Sequence, residues 1–322
     1  MNHSLWALTS YFNPTGSRRR LANYHAFRRA LDCPLLTVEW SPHGRFELRG
    51  ADADRLVQIA GGDLMWQKER LLNLGVARLP RECRYVAWID CDVVFERSDW
   101  VAQAVLRLAE APMVQLYENV VYLARGPLHD LPGAGDCPAH ARLFERAGFA
   151  AARQRREGAA VPVATEDLQA FVRMPSAGLA WAARREHLVR HPLFDVWVVG
   201  GGDSAYAHAA AGNAADVVRN HGLSAGHREL FTPRAAALAA EVNERIGYVP
   251  GTLFHLWHGE FADRRYRSRH SLLARHDFDP ARFLRAAPSG VWAWADVPAA
   301  LPLAIRDYFE GRHEDGVEAE AA

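Results

Sequence analysis

Cysteine is scarce in this chain, with four among 322 residues (Cys33, Cys83, Cys91 and Cys137). No two form a CxxC pair or fall at zinc-site spacing, so a thiolate-bound metal is not expected. Sparse thiols of this kind are expected to be reduced, in a soluble cytoplasmic protein. Net charge is also missing, because 38 Lys and Arg balance 38 Asp and Glu. Overall charge therefore points to neither a nucleic acid nor a membrane surface as partner. No run of eighteen apolar residues occurs, so no membrane span is expected. The opening "MNHSLWALTSYFNP" lacks the basic head, apolar core and cleavage site of a signal peptide. Internal repeats and obvious linkers are lacking too. The expected organisation is one compact domain over residues 1–275, then a helical extension with an acidic, fraying tail over 276–322.

What the chain does have is a large apolar share, 49% of its residues, enough for a sizeable core. Short apolar runs alternate with helical spacing through the first half. "LWALTSY", "PLLTVEW", "RLVQIAG" and "YVAWI" read as strands. "RRRLANYHAFRRAL", "MWQKERLLNLGVARL" and "DWVAQAVLRLAEA" read as helices. "PMVQLYENVVYLA" reads as a further strand. This alternation predicts an α/β fold with a mixed, mostly parallel sheet flanked by helices. Residues 126–167 read as a looser insertion at the mouth of a site, with "ARLFERAGFAAARQRREG" as its one helical stretch. The second half resumes with a strand, a helix from about Arg184, a Gly-rich turn opening another helix, and a helix over "RAAALAAEVNERIG".

Three groups of residues carry chemistry. Asp90 and Asp92 interrupt the apolar run "YVAWIDCDVVF" where its strand should leave the sheet. Residues two apart in a strand share a face, and ligands of such sheets collect beyond the carboxyl ends of the strands. Two hard oxygen donors there suit Mn²⁺ or Mg²⁺; aspartates that cap the strand end are the other reading. His255 and His258 in "HLWHG" share a side only where the backbone is helical or tightly turned. They serve as metal ligands or as packing residues around Trp257. In "VVGGGDSA", three glycines allow close approach of a ligand. Asp203 follows at a helix N-terminus, as a general base or as a helix cap.

Taken together these stretches resemble metal-dependent glycosyltransferases of the GT-A fold. They are most similar to the β-1,4-galactosyltransferases and to the galactosyltransferase-type segment of polypeptide N-acetylgalactosaminyltransferases. "WQKERLLNLG", "WIDCDVVF", "SAGLAWAARREHL" with "VGGGD", and "HLWHG" carry the resemblance, in the family's order and over roughly residues 5 to 270. The resemblance implies Asp92 and His258 as metal ligands, with His255 where the family has Met, and Asp90 on the metal or the nucleotide's ribose and diphosphate side. It further implies Trp66, Gln67 and Lys68 along the nucleotide, with Gly201 and Gly202 in the substrate segment and Asp203 as catalytic base. Gly202, Ser204 and Ala205 depart from the family, which has acidic residues at those places.

The expected activity is transfer of a hexose or N-acetylhexosamine from a nucleotide-diphosphate sugar, UDP by family default, to a carbohydrate or other hydroxyl acceptor, with inversion. Tyr11 or Phe12 would stack on the base, and Trp181 and Trp257 would carry acceptor sugar rings. Arg264, Arg265 and Arg267 would offset phosphate charge or form a solvated basic face. Two rivals remain. One is a non-catalytic sugar- or nucleotide-binding protein on this scaffold. The other is a sugar nucleotidyltransferase, disfavoured because "SYFNPTGSRRRL" has a single glycine where such enzymes carry a Gly-rich loop.

Overall fold

A computed structural model describes residues 4–126, 141–155 and 165–316. The expected loop at 127–140 with Cys137, the stretch 156–164 and the tail beyond 316 lie outside the described residues. In chain order the first elements are β1 (Leu5–Tyr11), α1 (Arg18–Ala30), β2 (Leu35–Ser41), β3 (Arg55–Ala60), α2 (Lys68–Val76) and β4 (Tyr85–Ile89). Next come β5 (Val93–Phe95), α3 (Trp100–Arg107), β6 (Met113–Gln115), β7 (Asn119–Leu123), β8 (Arg142–Ala147), α4 (Phe149–Gln154) and α5 (Leu168–Arg173). Then follow β9 (Ala180–Arg184), α6 (Arg185–Arg190), α7 (Gly202–Ala210), α8 (Ala214–His221), α9 (Ala225–Val242), β10 (Ile246–Tyr248) and β11 (Thr252–His255). The chain closes with α10 (Ser268–Arg275), α11 (Pro280–Phe283), β12 (Leu284–Ala286), β13 (Trp292–Trp294) and α12 (Ala300–Glu310).

Seven strands form the main sheet in the order β10-β6-β9-β4-β1-β2-β3. All pair parallel except β9, which runs antiparallel to both β4 and β6. The molecule is thus α/β with a mixed, mostly parallel sheet flanked by helices. Central strands are apolar along their length because both faces are covered; β2 is buried from Leu35 to Trp40. On one face α2 packs so closely that a side chain at Gly75 would begin 2.5 Å from Leu8 and 3.0 Å from Val38.

A second sheet, β5-β11-β7-β8, sits beyond the carboxyl end of β4. Its existence corrects two expectations. "PMVQLYENVVYLA" is two strands in different sheets, parting after Gln115; Asn119, the turn-type residue in mid-run, opens the second strand and does not mark the break. Arg142–Ala147 is a strand paired with β7, and among the described residues of that stretch only Phe149–Gln154 is helical. Gly148 separates them, where a side chain would meet three oxygens at 3.0 Å. The C-terminal extension is not purely helical either, since β12 and β13 form a hairpin. Nor does the tail fray at its start: Glu314 is buried and ion-paired.

Three fully buried histidines sit in the layer of α8, α9 and α10. His221 accepts a hydrogen bond at Nδ1 from the Trp197 indole (2.9 Å) and stacks on His270 at 3.8 Å. Burial pushes His221 and His227 down to about 3, and holds His270 well below its ordinary value. Each stays neutral when folded but takes a proton near pH 6.5 when unfolded. Below 6.5 the unfolded chain binds more protons, so stability falls with falling pH until about 3, by roughly 1.4 kcal/mol per unit for each histidine. Thermal unfolding between pH 7 and 5 should show a steep loss that His227→Phe makes shallower. A melting temperature flat over that range would contradict this account.

Candidate metal and nucleotide site

Asp92 and His255 meet because of strand register. Immediately after Asp92 the chain enters β5, which pairs antiparallel with β11 so that Val93 faces His255. The Leu256 N–H closes the join by donating to the Asp92 carbonyl at 2.8 Å. Beyond His255 the strand ends and the backbone is irregular as far as Gly259, whose φ is 101°. That irregular path, with no helix, brings both imidazoles to one side. His258 Nε2 lies 2.9 Å from Asp92 Oδ2, His255 Nε2 lies 4.0 Å from Asp92 Oδ1, and the two Nε2 atoms are 3.4 Å apart.

Among the described residues, Asp92, His255 and His258 form the cluster whose ligand atoms all lie within 4.8 Å. Asp92 Oδ1 is inaccessible and has no hydrogen-bond partner, although buried oxygens normally find one. Burial drives His255 down to about 3, which keeps its ring neutral and its lone pair free. Burial alone would raise Asp92, but His258 and His255 outweigh it and hold the carboxylate ionised. An anionic oxygen without a partner, facing two imidazole nitrogens, fits a divalent cation.

Asp90 belongs to a different group. Its Oδ1 is 2.5 Å from Lys68 Nζ, which also donates to Asp203 Oδ2 at 3.1 Å. Lys68 thus bridges the carboxyl end of β4 and the first turn of α7. Burial would lower the ammonium, yet Asp203 and Asp90 raise it well above the usual range. For Asp203 burial is likewise outweighed, by Lys68 and the Ser204 N–H, so the carboxylate stays ionised. Two glycines make room. A side chain at Gly178 would begin 2.5 Å from Asp203 Oδ2, and Gly201 turns the chain with φ 96°. Leu179, next in line, is held at φ 75°, an uncommon conformation for leucine.

Both groups open into one cleft of about 990 Å³. Trp66, Lys68, Asp90, Asp92, Gly201, Asp203, His255 and His258 all line it. Other expected residues lie elsewhere. Tyr11 is 1% exposed and gives its hydroxyl to Glu47, so it has no face for a base; Phe12 reaches the cleft instead. Gln67 is fully buried, and its amide pins the Trp292 backbone of β13. Gly202 is a packing position, where a side chain would strike Glu69 and the Phe194 carbonyl at 2.7 Å. Trp181 is 1% exposed, its indole bonded to the Ala177 carbonyl, so it offers no platform to a sugar. Trp257 lies beneath Arg19 and Arg125, outside the main cleft. Asp90, paired with Lys68, stands outside the three-residue cluster.

Arg264 is buried and donates to the His258 carbonyl (2.9 Å), whereas Arg265 and Arg267 are exposed. Sequence reasoning missed Arg20, Arg146, Arg269 and Arg312, which also line the cleft. It missed Glu314 as well, which pairs with Arg20 and Arg312 and lies 3.8 Å from His258 Nδ1. No local signal singles them out: Arg20 and Arg269 each end an arginine-rich run, and Arg146 and Arg312 stand alone in sequence. Among the described residues, no helix is long and apolar enough to cross a membrane.

No family model matches the sequence, and no curated protein does. Several solved structures are similar to the chain at low identity. One, from Desulfovibrio desulfuricans, is assigned as a nucleotide-diphospho-sugar transferase (8% identity, 98% of each chain, TM-score 0.32). Another is the catalytic domain of Drosophila β1,4-galactosyltransferase 7 in complex with xylobiose (8% identity, 94% of this chain and 98% of that one, TM-score 0.35). A third is the 4-diphosphocytidyl-2C-methyl-D-erythritol synthase of Anaerococcus prevotii (9% identity, 77% and 86%, TM-score 0.27). Overlays this loose carry no weight in assigning the site.

Lys68 generates the prediction here. Lys68→Met leaves Asp90 and Asp203 facing each other without a cation, and should cost roughly 3 kcal/mol in urea unfolding, as for one partner removed from a buried ion pair. A change below about 1 kcal/mol, the scale of an exposed pair, would show that Lys68 does not bridge the two.

Proposed function

We propose that this chain is a metal-dependent glycosyltransferase of the GT-A type. In this reading it moves a hexosyl or N-acetylhexosaminyl group from a nucleotide-diphosphate sugar, UDP-linked by family default, to an acceptor hydroxyl. The observation that carries the reading is the meeting, in one cleft, of a metal-type cluster (Asp92, His255, His258) and a lysine-bridged carboxylate at a helix N-terminus (Asp203). Residues 276–322 are read as an extension whose described part closes on that cleft.

Asp92, His255 and His258 would hold the cation. One carboxylate and two imidazoles suit Mn²⁺ better than Mg²⁺, which prefers a shell of oxygens. When bound, it would act as a Lewis acid toward the charge that develops on the departing diphosphate. The protein's own groups do the rest. Asp203, ionised and held by Lys68 and the Ser204 N–H, accepts the proton of the acceptor hydroxyl as that oxygen attacks the anomeric carbon. The bond from that carbon to the diphosphate oxygen breaks in the same displacement, with inversion. Lys68 keeps Asp90 and Asp203 at a fixed separation, and Trp66 and Phe12 offer aromatic surface to the nucleotide or sugar.

Incubation with UDP-hexoses and Mn²⁺ should give slow hydrolysis without acceptor, and transfer when a suitable hydroxyl is supplied. Asp203→Asn should lower turnover by about 10²- to 10⁴-fold, the usual share of a positioned base. Undiminished turnover in that variant would remove Asp203 from the role. Absence of any turnover in the wild type, with nucleoside diphosphate still bound, would favour a binding protein.

A further inference from the structure

A group of cationic side chains at the cleft wall is not explained by the metal cluster or by the base. Arg269, in α10, is 8% exposed and lines the cleft. Its Nε is inaccessible and has no hydrogen-bond partner. Its single hydrogen bond among the described residues is a long one from Nη1 to the Tyr308 hydroxyl (3.4 Å), and no described carboxylate pairs with it. Arg312, 3% exposed, donates to the same hydroxyl at 2.9 Å and lies over the Trp66 ring. Buried guanidinium is costly without counter-charge. Yet here Arg20 and Arg312 share one carboxylate, Glu314, and Arg269 beside them has none. The phenol registers the excess. Burial would raise it, but Arg312 and Arg269 outweigh burial and bring Tyr308 down to about 8.

The backbone opposite is cut away to admit the guanidinium. A side chain at Gly200 would begin 3.2 Å from Arg269 Nη1, whereas one at Gly201 would first strike His270, at 2.8 Å, and stand at ordinary contact, 3.5 Å, from Nη2. Both glycines hold positive φ, 86° and 96°. The strained turn that carries Asp203 therefore also lets Arg269 come forward into the cleft.

We propose that Arg269 and Arg312, braced by the Tyr308 hydroxyl between them, form an oxyanion subsite that binds its ligand without the metal. It takes a compact group with two or more anionic oxygens, supplied either by the donor's diphosphate or by a carboxylate on the sugar. Guanidinium presents paired donors to either geometry. The subsite draws Arg312 and Tyr308 from the C-terminal extension, so that extension is part of the binding machinery. Tyr308 is a positioning residue, since it holds the two guanidiniums and does not line the cleft. The proposal deepens the glycosyltransferase reading but is tested apart from it.

The test is titration of the full chain, in EDTA, with inorganic pyrophosphate and separately with glucuronate, followed by calorimetry. The expected result is saturable binding of one of them, weakened about ten- to a hundredfold by Arg269→Gln, as for loss of charge-assisted hydrogen bonds. Tyr308→Phe should weaken it several-fold, and Arg269→Lys should fall between wild type and Arg269→Gln, which guards against a folding defect. Arg267→Gln, exposed and outside the group, should leave it unchanged. Pyrophosphate preference assigns the subsite to the donor's diphosphate, and glucuronate preference to an acidic sugar. Failure of both to bind in EDTA, or binding indifferent to Arg269→Gln and Arg269→Lys, overturns the proposal. Binding with the expected pattern in a protein that turns over no sugar nucleotide would keep the subsite and discard the glycosyltransferase reading.

Discussion

Everything at this site depends on one strand pairing. β5 is three residues long, too short to be stable alone, yet its antiparallel register with β11 fixes Asp92 against His255 across more than 160 residues of sequence. Register is a two-state choice in a sheet, because a slip by one residue turns every side chain to the other face. Val94 and Phe254, paired on the face turned away from His255, are both buried, and they make the alternative costly. The ligand geometry is therefore set by apolar packing on the far side of the same strands.

Charge is arranged in the same economical way. Two carboxylates that would repel each other, Asp90 and Asp203, are held by one ammonium. Asp92, two residues beyond Asp90, is kept apart from that pair and given to the imidazoles. An acidic strand end is thus split between a cluster with two imidazoles and a pair of carboxylates bridged by lysine. Glu69, close by, shows what happens without a partner. Burial raises its carboxyl to about 8, and it packs against the glycine at position 202.

Much of the fold was legible because period and composition agreed. β1, β2 and β3 were read from apolar runs bounded by polar turns, and the helix at Gly202 from its glycines. Where the period was ambiguous the reading failed. The split of "PMVQLYENVVYLA" between two sheets is a tertiary event with no local mark. Arg142–Ala147 alternates too weakly to be told from a helix. The pairing of Asp92 with both histidines followed from a resemblance, since spacing alone left a helix or tight turn as the requirement and the chain satisfied it with an irregular segment. Aromatic residues misled most. Tyr11 and Trp181 adjoin site residues in sequence, but successive positions of a strand face opposite ways, and both turn into the core. Arg312, which lines the cleft, and Glu314, which pairs with it, were invisible because they come from a region that reads only as helix and tail.

The central claim is that β5 and β11 bring one carboxylate and two imidazoles onto a single ion. Anomalous diffraction at the manganese edge, from crystals grown with Mn²⁺ and a nucleoside diphosphate, tests it most directly. The account predicts one strong peak about 2.0–2.3 Å from an Asp92 oxygen and from the Nε2 atoms of His255 and His258, at usual ligand distances for such ions. A peak seated between Asp90 and Asp203, with the imidazoles turned away, would contradict it.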